Sequence, residues 1–309
     1  MQITKEILFQ DRNLRNLNKL IEIALNEDLH GGDETSKNIF YFENSIRKLD
    51  NTKTHFISKA DGVISGLVII PLILKIAKDQ SYIKNELEFV PLIEDGFYVK
   101  KGKVIAQLKG NFVDILSLER ILLNFLSRMS GVATLTDKFV QILKKHKSKA
   151  KIYDTRKTIP GFRLLDKYSV NIGGGTNHRL DLSDYLIIKD NYLEQDLYVV
   201  LKYLKNLPIK SYNRKIVEVE IDDFKYFDYE EIWNADIIML DNMNLENLKK
   251  AISLIREKQK KYDKIYEIEI SGGFSINILD ELKNLDVDRI SFGKITHSVP
   301  NFDISLGVK

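Results

Sequence analysis

The sequence predicts an α/β protein in which a small α+β domain precedes a series of parallel β/α units, and three features of the 309-residue chain carry that expectation. The first is an amphipathic helix: Leu17, Leu20, Ile21, Ala24 and Leu25 recur at i, i+3, i+4, i+7 and i+8 and run into the turn-forming His30-Gly31-Gly32-Asp33. The second is a group of short β-like runs in the N-terminal third. The third is a set of six apolar runs after Lys151, separated by helical segments and each ending in polar or glycine residues.

In the first region, His55–Ala60 and Val63–Leu67 flank Asp61-Gly62, which predicts a β-hairpin, and Val104–Leu108 follows a second turn at Lys101-Gly102. A helix is expected from Ile115 to Met129, carrying Leu116, Leu123 and Leu126 and bridging to the next region. The six later runs are Lys151–Arg156, Tyr185–Asn191, Lys215–Ile221, Asp236–Asn242, Tyr266–Gly273 and Asp288–Lys294. Such alternation suits a β/α barrel or a doubly wound open sheet, and a barrel puts its reactive groups at the carboxyl ends of the strands. The reactive residue types of this chain lie there.

Composition narrows the function. Hydrophobic residues make up 44% of the chain, enough for one substantial core and a smaller one. The 29% of charged residues nearly cancel to a formal +3, so no global field favours a nucleic-acid partner and any anion site is local. The absence of cysteine excludes disulfides, thiolate metal sites and a thiol nucleophile. The charged start of the chain lacks the apolar run of a signal peptide. The best apolar stretch, Val63–Ile76, is interrupted by Ser65, Gly66, Pro71 and Lys75, well short of the roughly 20 residues that span a bilayer. A soluble cytoplasmic protein without a membrane partner is expected.

The run ends hold the candidate chemistry. Asp154-Thr155-Arg156-Lys157-Thr158 places two cations before the stop at Pro160-Gly161. Gly173-Gly174-Gly175 frees the backbone for close anion approach and leads to His178 and Arg179, the latter able to grip a carboxylate with two donors. Lys189, after Leu186-Ile187-Ile188, reads either as a cation for pyrophosphate oxygens or as a Schiff-base nucleophile. Glu218 and Glu220 alternate with Val217, Val219 and Ile221 and so share one strand face, where an internal salt bridge for Glu218 competes with ligand contact. Asp241 adds a hard oxygen ligand suited to Mg²⁺, and Ser271-Gly272-Gly273 with Ser291-Phe292-Gly293-Lys294 offer backbone cradles for phosphate.

Taken in order, Glu27–Thr35, Leu118–Leu126 with Ser130-Gly131, Asp154–Arg163, Gly173–Arg179, Ile187–Asn191, Val217–Glu220, Met239–Asn242, Ile270–Gly273 and Phe292–Ser298 resemble the quinolinate phosphoribosyltransferase family over nearly the whole chain. The resemblance implies an N-terminal open-faced α/β sandwich over residues 1–126. An incomplete, roughly seven-stranded parallel β/α barrel would follow over 127–297, with 298–309 returning to the first domain. It implies a homodimer whose sites are shared, with quinolinate and phosphoribosyl pyrophosphate as substrates. Arg120 from the partner chain, Thr155, Arg156, His178 and Arg179 would bind the quinolinate carboxylates. Lys157, Lys189, Ser271, Gly272, Gly293 and His297 would hold phosphates, and Glu220 with Asp241 the ribose and Mg²⁺; Lys157, Lys189, Glu220 and Asp241 form the expected catalytic set.

Three positions depart from the family pattern: His30, Asp181 and Tyr192 stand where Gly, Gly and His are usual, and Asp181 could repel a dicarboxylate. The alternatives are a related phosphoribosyltransferase for another heteroaromatic acid, a Schiff-base aldolase using Lys189, and a noncatalytic binder of the pyridine acid. Retention of Arg120, Arg156 and Arg179 speaks against the first, and of Lys189, Glu220 and Asp241 against the last.

Overall fold

Apolar spacing and chain breakers set the N-terminal elements of this computed structural model, which describes residues 2–40, 51–207, 215–274, 276–282 and 284–308. Helices α1 (Lys5–Leu8), α2 (Asp11–Leu29) and α3 (Glu34–Phe40) come first, and α2 buries Leu17, Ile21, Leu25 and Leu29 along one stripe. Strands β1 (Thr52–Ser58), β2 (Gly62–Val63), β3 (Glu88–Pro91), β4 (Tyr98–Val99) and β5 (Val104–Gly110) follow, with α4 (Ile70–Asp79) between β2 and β3. Contacts divide the chain into one unit of Gln2–Asp137, Thr158–Gly174 and Ile295–Lys309 and another of Lys138–Lys157 and Gly175–Lys294. The boundary falls within α5 (Phe112–Lys145), a 34-residue helix longer than its expected 115–129 core because no proline interrupts it and Gly131 is accommodated within it.

The first unit contains an antiparallel sheet in the order β12-β1-β5-β3, where β12 (Ile304–Val308) is the last strand of the chain. Phe56 on β1 faces Leu306 on one side and Ala106 on the other, and alternate residues Thr54, Phe56 and Ser58 are buried. The hairpin expected around Asp61-Gly62 does not form. Instead β1 pairs with β5 and β12, β2 pairs only with β4, and the chain passes through Gly66, at φ +105°, into a short 3₁₀ turn and α4. The physical reason is Asp61, whose carboxylate accepts from Lys101 N and Lys100 Nζ and so ties this corner to the later turn.

The second unit is built on one parallel sheet of β6 (Lys151–Tyr153), β7 (Leu186–Ile188), β8 (Val217–Ile221), β9 (Ile237–Asp241), β10 (Glu267–Ser271) and β11 (Arg289–Ser291). Its order is β6-β11-β10-β9-β8-β7. Five strands lie side by side in chain order and the first of the six pairs with the last, Ile152 opposite Ile290, so the sheet curls into a barrel rather than reversing as a doubly wound sheet does. Between β6 and β7 the wall holds a single parallel bridge, Tyr153 to Thr176. The expected incomplete barrel is present, and its seventh position shrinks to one residue because the preceding glycine run does not sustain a strand. The connecting helices are α6 (Arg163–Ile172), α7 (Asp190–Gln195), α8 (Leu197–Lys205), α9 (Leu245–Tyr262), α10 (Leu279–Leu282) and α11 (Lys294–His297). No helix among the described residues is long and apolar enough to cross a membrane.

In the first unit a buried ion pair joins α5 to α6. Arg128 donates from Nε and Nη2 to the two oxygens of Asp166 at 3.0 and 2.9 Å and also to the carbonyl of Thr296. Removing one partner of such a pair leaves a charge in a water-poor place, so Arg128→Ala is expected to lower stability by about 3–5 kcal/mol in denaturant unfolding. A loss below about 1 kcal/mol, the level of an exposed pair, would show that Asp166 is not held by this contact.

Candidate active site

The carboxyl ends of the barrel strands and the segments that follow them converge on a cavity of about 300 Å³. The segment after β6 gives Thr155, Arg156 and Lys157; the glycine loop gives His178 and Arg179; Lys189 follows β7. Across the cavity stand Glu220 of β8, Asp241 of β9, Glu269 and Ser271 of β10, and Ser291 of β11.

Asp154 organises the cationic side. It is fully buried, and its carboxylate accepts from His178 N and Asn177 Nδ2, both at 2.8 Å, which pins the glycine loop to the end of β6. The sequence placed Asp154 in a motif without a role; its signal was a lone acid among cations at a strand end. Arg179 donates to the carbonyl of Tyr185 at 3.1 Å, and burial followed by the nearby charge of Arg156 weakens its hold on its proton. The Nε atoms of Arg156 and Arg179 are buried without a hydrogen-bond partner among the described residues. Both side chains line the cavity, and two close guanidinium groups there suit a dianion.

His178 lies 7% exposed, with Nε2 at 3.3 Å from Glu269 and 3.5 Å from Glu218, and the Tyr185 hydroxyl at 2.9 Å from Nδ1. Burial opposes its charge, but the carboxylates of Glu269 and Glu218 prevail and its pKa is raised to about 9. Lys189 meets Glu220 at 2.9 Å. Burial pushes the Glu220 carboxyl above its usual range while the Lys189 ammonium pulls it back. Asp241 is half-buried and accepts from Asn242 Nδ2 at 2.6 Å. Gly272 follows β10 at φ +149°, where a side chain would crowd Phe274 and Asn242.

The motifs read as a family resemblance now have a geometry, and direct comparison decides the matter. Residues 132–307 match the quinolinate phosphoribosyl transferase C-terminal domain and residues 40–130 its N-terminal domain. The chain belongs to the quinolinate phosphoribosyltransferase family. It is 36% identical over 252 residues to the probable nicotinate-nucleotide pyrophosphorylase [carboxylating] of Archaeoglobus fulgidus, covering 82% of this chain and 92% of that one. The Bacillus subtilis protein of the same name is 34% identical over 292 residues, 94% of this chain and 93% of the relative. Among solved structures, the nicotinate-nucleotide pyrophosphorylase from Francisella tularensis superposes with a TM-score of 0.79 at 32% identity, covering 96% of both chains.

The family site residues are not all gathered here. Thr155, Arg156, Lys157, His178, Arg179, Lys189, Glu220, Asp241 and Ser271 line the cavity, whereas Arg120 is exposed on α5 in the other unit and does not. His297 also belongs to that unit, where it is exposed beside Ser298. Of the departures, Asp181 does not line the cavity; its Oδ1 accepts from Ser183 N at 2.8 Å and from the Ser183 hydroxyl. Tyr192, 61% exposed, lines an adjoining apolar opening with Arg179 and Lys189. His30 is in the other unit, bonded to Asn26.

Because the Lys189 ammonium opposes the effect of burial on Glu220, Lys189→Met is expected to move the Glu220 titration to higher pH, followed by ¹³C NMR of the carboxyl carbon. An unchanged midpoint would show that the ion pair does not set the charge of Glu220.

Proposed function

We propose that this protein is a decarboxylating quinolinate phosphoribosyltransferase, joining quinolinate to phosphoribosyl pyrophosphate to give nicotinate mononucleotide, pyrophosphate and carbon dioxide in NAD biosynthesis. The observation that carries this reading is the Arg156–Arg179–His178 cluster, which brings two guanidinium groups and an imidazolium to the lining of one small cavity. Such a cluster suits two adjacent carboxylates on a flat ring and leaves its cations underpaired with one carboxylate.

Orientation then dictates the chemistry. With its carboxylates on Thr155, Arg156, His178 and Arg179, the pyridine nitrogen attacks the anomeric carbon of the ribose, and the bond to pyrophosphate breaks with its electrons leaving on oxygen. Lys157 and Lys189, with Ser271, Gly272 and Gly293, hold the phosphates. Glu220 and Asp241 face the ribose, where their negative charge stabilises the oxocarbenium-like transition state. Ribosylation makes the ring nitrogen cationic. The adjacent carboxylate can then leave as carbon dioxide because the electron pair left at that carbon is stabilised next to the positive nitrogen, and protonation completes the product. The cationic wall neutralises the repulsion between a dianion and a polyanion brought together in a small space.

Glu220 and Asp241 fit a magnesium site. They are hard oxygen donors on neighbouring strands, close enough that the charge of Asp241 raises the Glu220 pKa, and they face a cavity with room for phosphate oxygens. Mg²⁺ there would neutralise charge on the diphosphate. Exposed Arg120, with no place in its own chain's cavity, fits a homodimer in which it completes the partner's site.

Purified protein with both substrates and Mg²⁺ is expected to release carbon dioxide and nicotinate mononucleotide from quinolinate, with nicotinate turned over at least about 100-fold less well. Comparable turnover of both acids would contradict the dicarboxylate reading. Sharing of sites predicts that Arg120→Ala and Lys189→Ala homodimers are each nearly inactive, while mixing them restores about a quarter of the wild-type activity, since random exchange makes about half the dimers mixed, each with one intact site. No recovery after verified subunit exchange would place Arg120 in its own chain's site.

A further inference from the structure

Two buried acids, Glu269 in the cavity lining and Glu218 beside His178, are not used by the proposed reaction. Glu218 and Glu269 come from β8 and β10, flank β9 and are both fully buried. Their four oxygens have no hydrogen-bond partner among the described residues. Two carboxylates without solvent beside a site for acidic substrates carry a double penalty: they are desolvated, and they repel the ligand. Such a pair persists only if something answers its charge. His178 does, with one nitrogen at 3.3 Å from Glu269 and 3.5 Å from Glu218.

We propose that Glu218 and Glu269 are positioning residues that act through His178, clamping its imidazole so that the ring meets an acidic substrate as a fixed cationic wall of the cavity. The proposal rests on the reading of His178 as part of a carboxylate site. The ring is held on every side the structure describes. Its backbone N–H donates to Asp154, the Tyr185 hydroxyl sits within 2.9 Å of Nδ1 and 3.1 Å of Nε2, and the Tyr153 ring stands edge-on at 6.3 Å. Burial and the charges of Glu218 and Glu269 push the Tyr185 hydroxyl far above its usual pKa, so it keeps its proton.

Arg289, hydrogen-bonded to Glu267, also lies 3.9 Å from Glu269, so the imidazole of His178 is the nearer cation to the two acids. The groups facing His178 are thus Glu218 from β8, Glu269 from β10, Arg289 from β11, Tyr153 and Asp154 at the end of β6, and Tyr185 before β7, with Arg179 adjacent in sequence. The functional consequence has a definite sign. An ordinary histidine loses its charge above about pH 6.5. Here the charge is retained until about pH 9, so affinity for a dicarboxylate holds through neutrality and weakens only as pH rises through that value.

The test observes the ring itself. Protein labelled with ¹⁵N in its histidine rings is titrated from roughly pH 5 to roughly pH 10, with His178→Gln to assign the signal, alongside the KM for pyridine-2,3-dicarboxylate at each pH. In the wild type the His178 midpoint is expected near 9, falling toward about 6.5 in Glu218→Gln and Glu269→Gln, with the rise in KM moving to lower pH in step. A purely structural role for the acids would leave the shape of the KM profile unchanged. A wild-type midpoint at or below about 6.5 overturns the proposal even if neither variant folds, as does an unchanged midpoint in folded variants. A neutral ring whose signal shifts on adding zinc would make His178 and the two acids a cation site and overturn it too. A midpoint near 9 without turnover of the dicarboxylate would leave the clamp standing and contradict the proposed activity instead.

Discussion

The ladder between the first and last barrel strands is the interaction on which the rest of the second unit depends. By pairing Ile152 with Ile290 and Ser291 with Tyr153, it bends six parallel strands until their carboxyl ends face one another. Without it, Arg156 and Lys157 at the end of β6 would lie at a sheet edge, remote from Glu220 and Asp241 near the middle of the sheet. Closure also explains why the gap beside β6 is filled by a loop. Thr176 takes one backbone bridge to Tyr153, and Asp154 pins the next two residues, so His178 and Arg179 project from a loop with nearly the rigidity of a strand end.

Closure creates an electrostatic problem that the side chains solve. Cations gathered on one wall repel, as Arg156 does to Arg179, and buried acids are desolvated, as Glu218 is. Each charge is partly answered inside the protein: Glu220 by Lys189, Glu218 and Glu269 by His178, and Glu269 also by Arg289. Among the cations, the Nε atoms of Arg156 and Arg179 stay without a hydrogen-bond partner among the described residues. A site arranged before its ligand arrives does not have to reorganise during the reaction, which is where preorganised electrostatics gain their effect. An acidic ligand completes the arrangement rather than disturbing it.

Much of this was legible in the sequence, for reasons that can be stated element by element. The six apolar runs became strands because buried parallel strands are near-continuous in apolar residues, and Ile237–Leu240 is one such run. Glu218 and Glu220 were placed on one face by alternation alone, but which would contact a ligand depended on what stood opposite: His178 for one and Lys189 for the other. Tertiary partners also overrode the hairpin expected at Asp61-Gly62, since Asp61 bonds to the turn at Lys100 and Lys101. The roles of Asp154 and Glu269 were hidden because each acts through a residue remote in sequence.

The central claim is that the cavity is charged and set before substrate binds. Isothermal titration of pyridine-2,3-dicarboxylate into the protein near neutral pH, repeated in buffers of different ionisation enthalpy, counts the protons taken up on binding. The account predicts an uptake close to zero, because Arg156, Arg179 and His178 already carry their charges. An uptake of about one proton per site would mean that an imidazole or other group is neutral in the free protein and acquires its charge from the ligand, which would contradict the account.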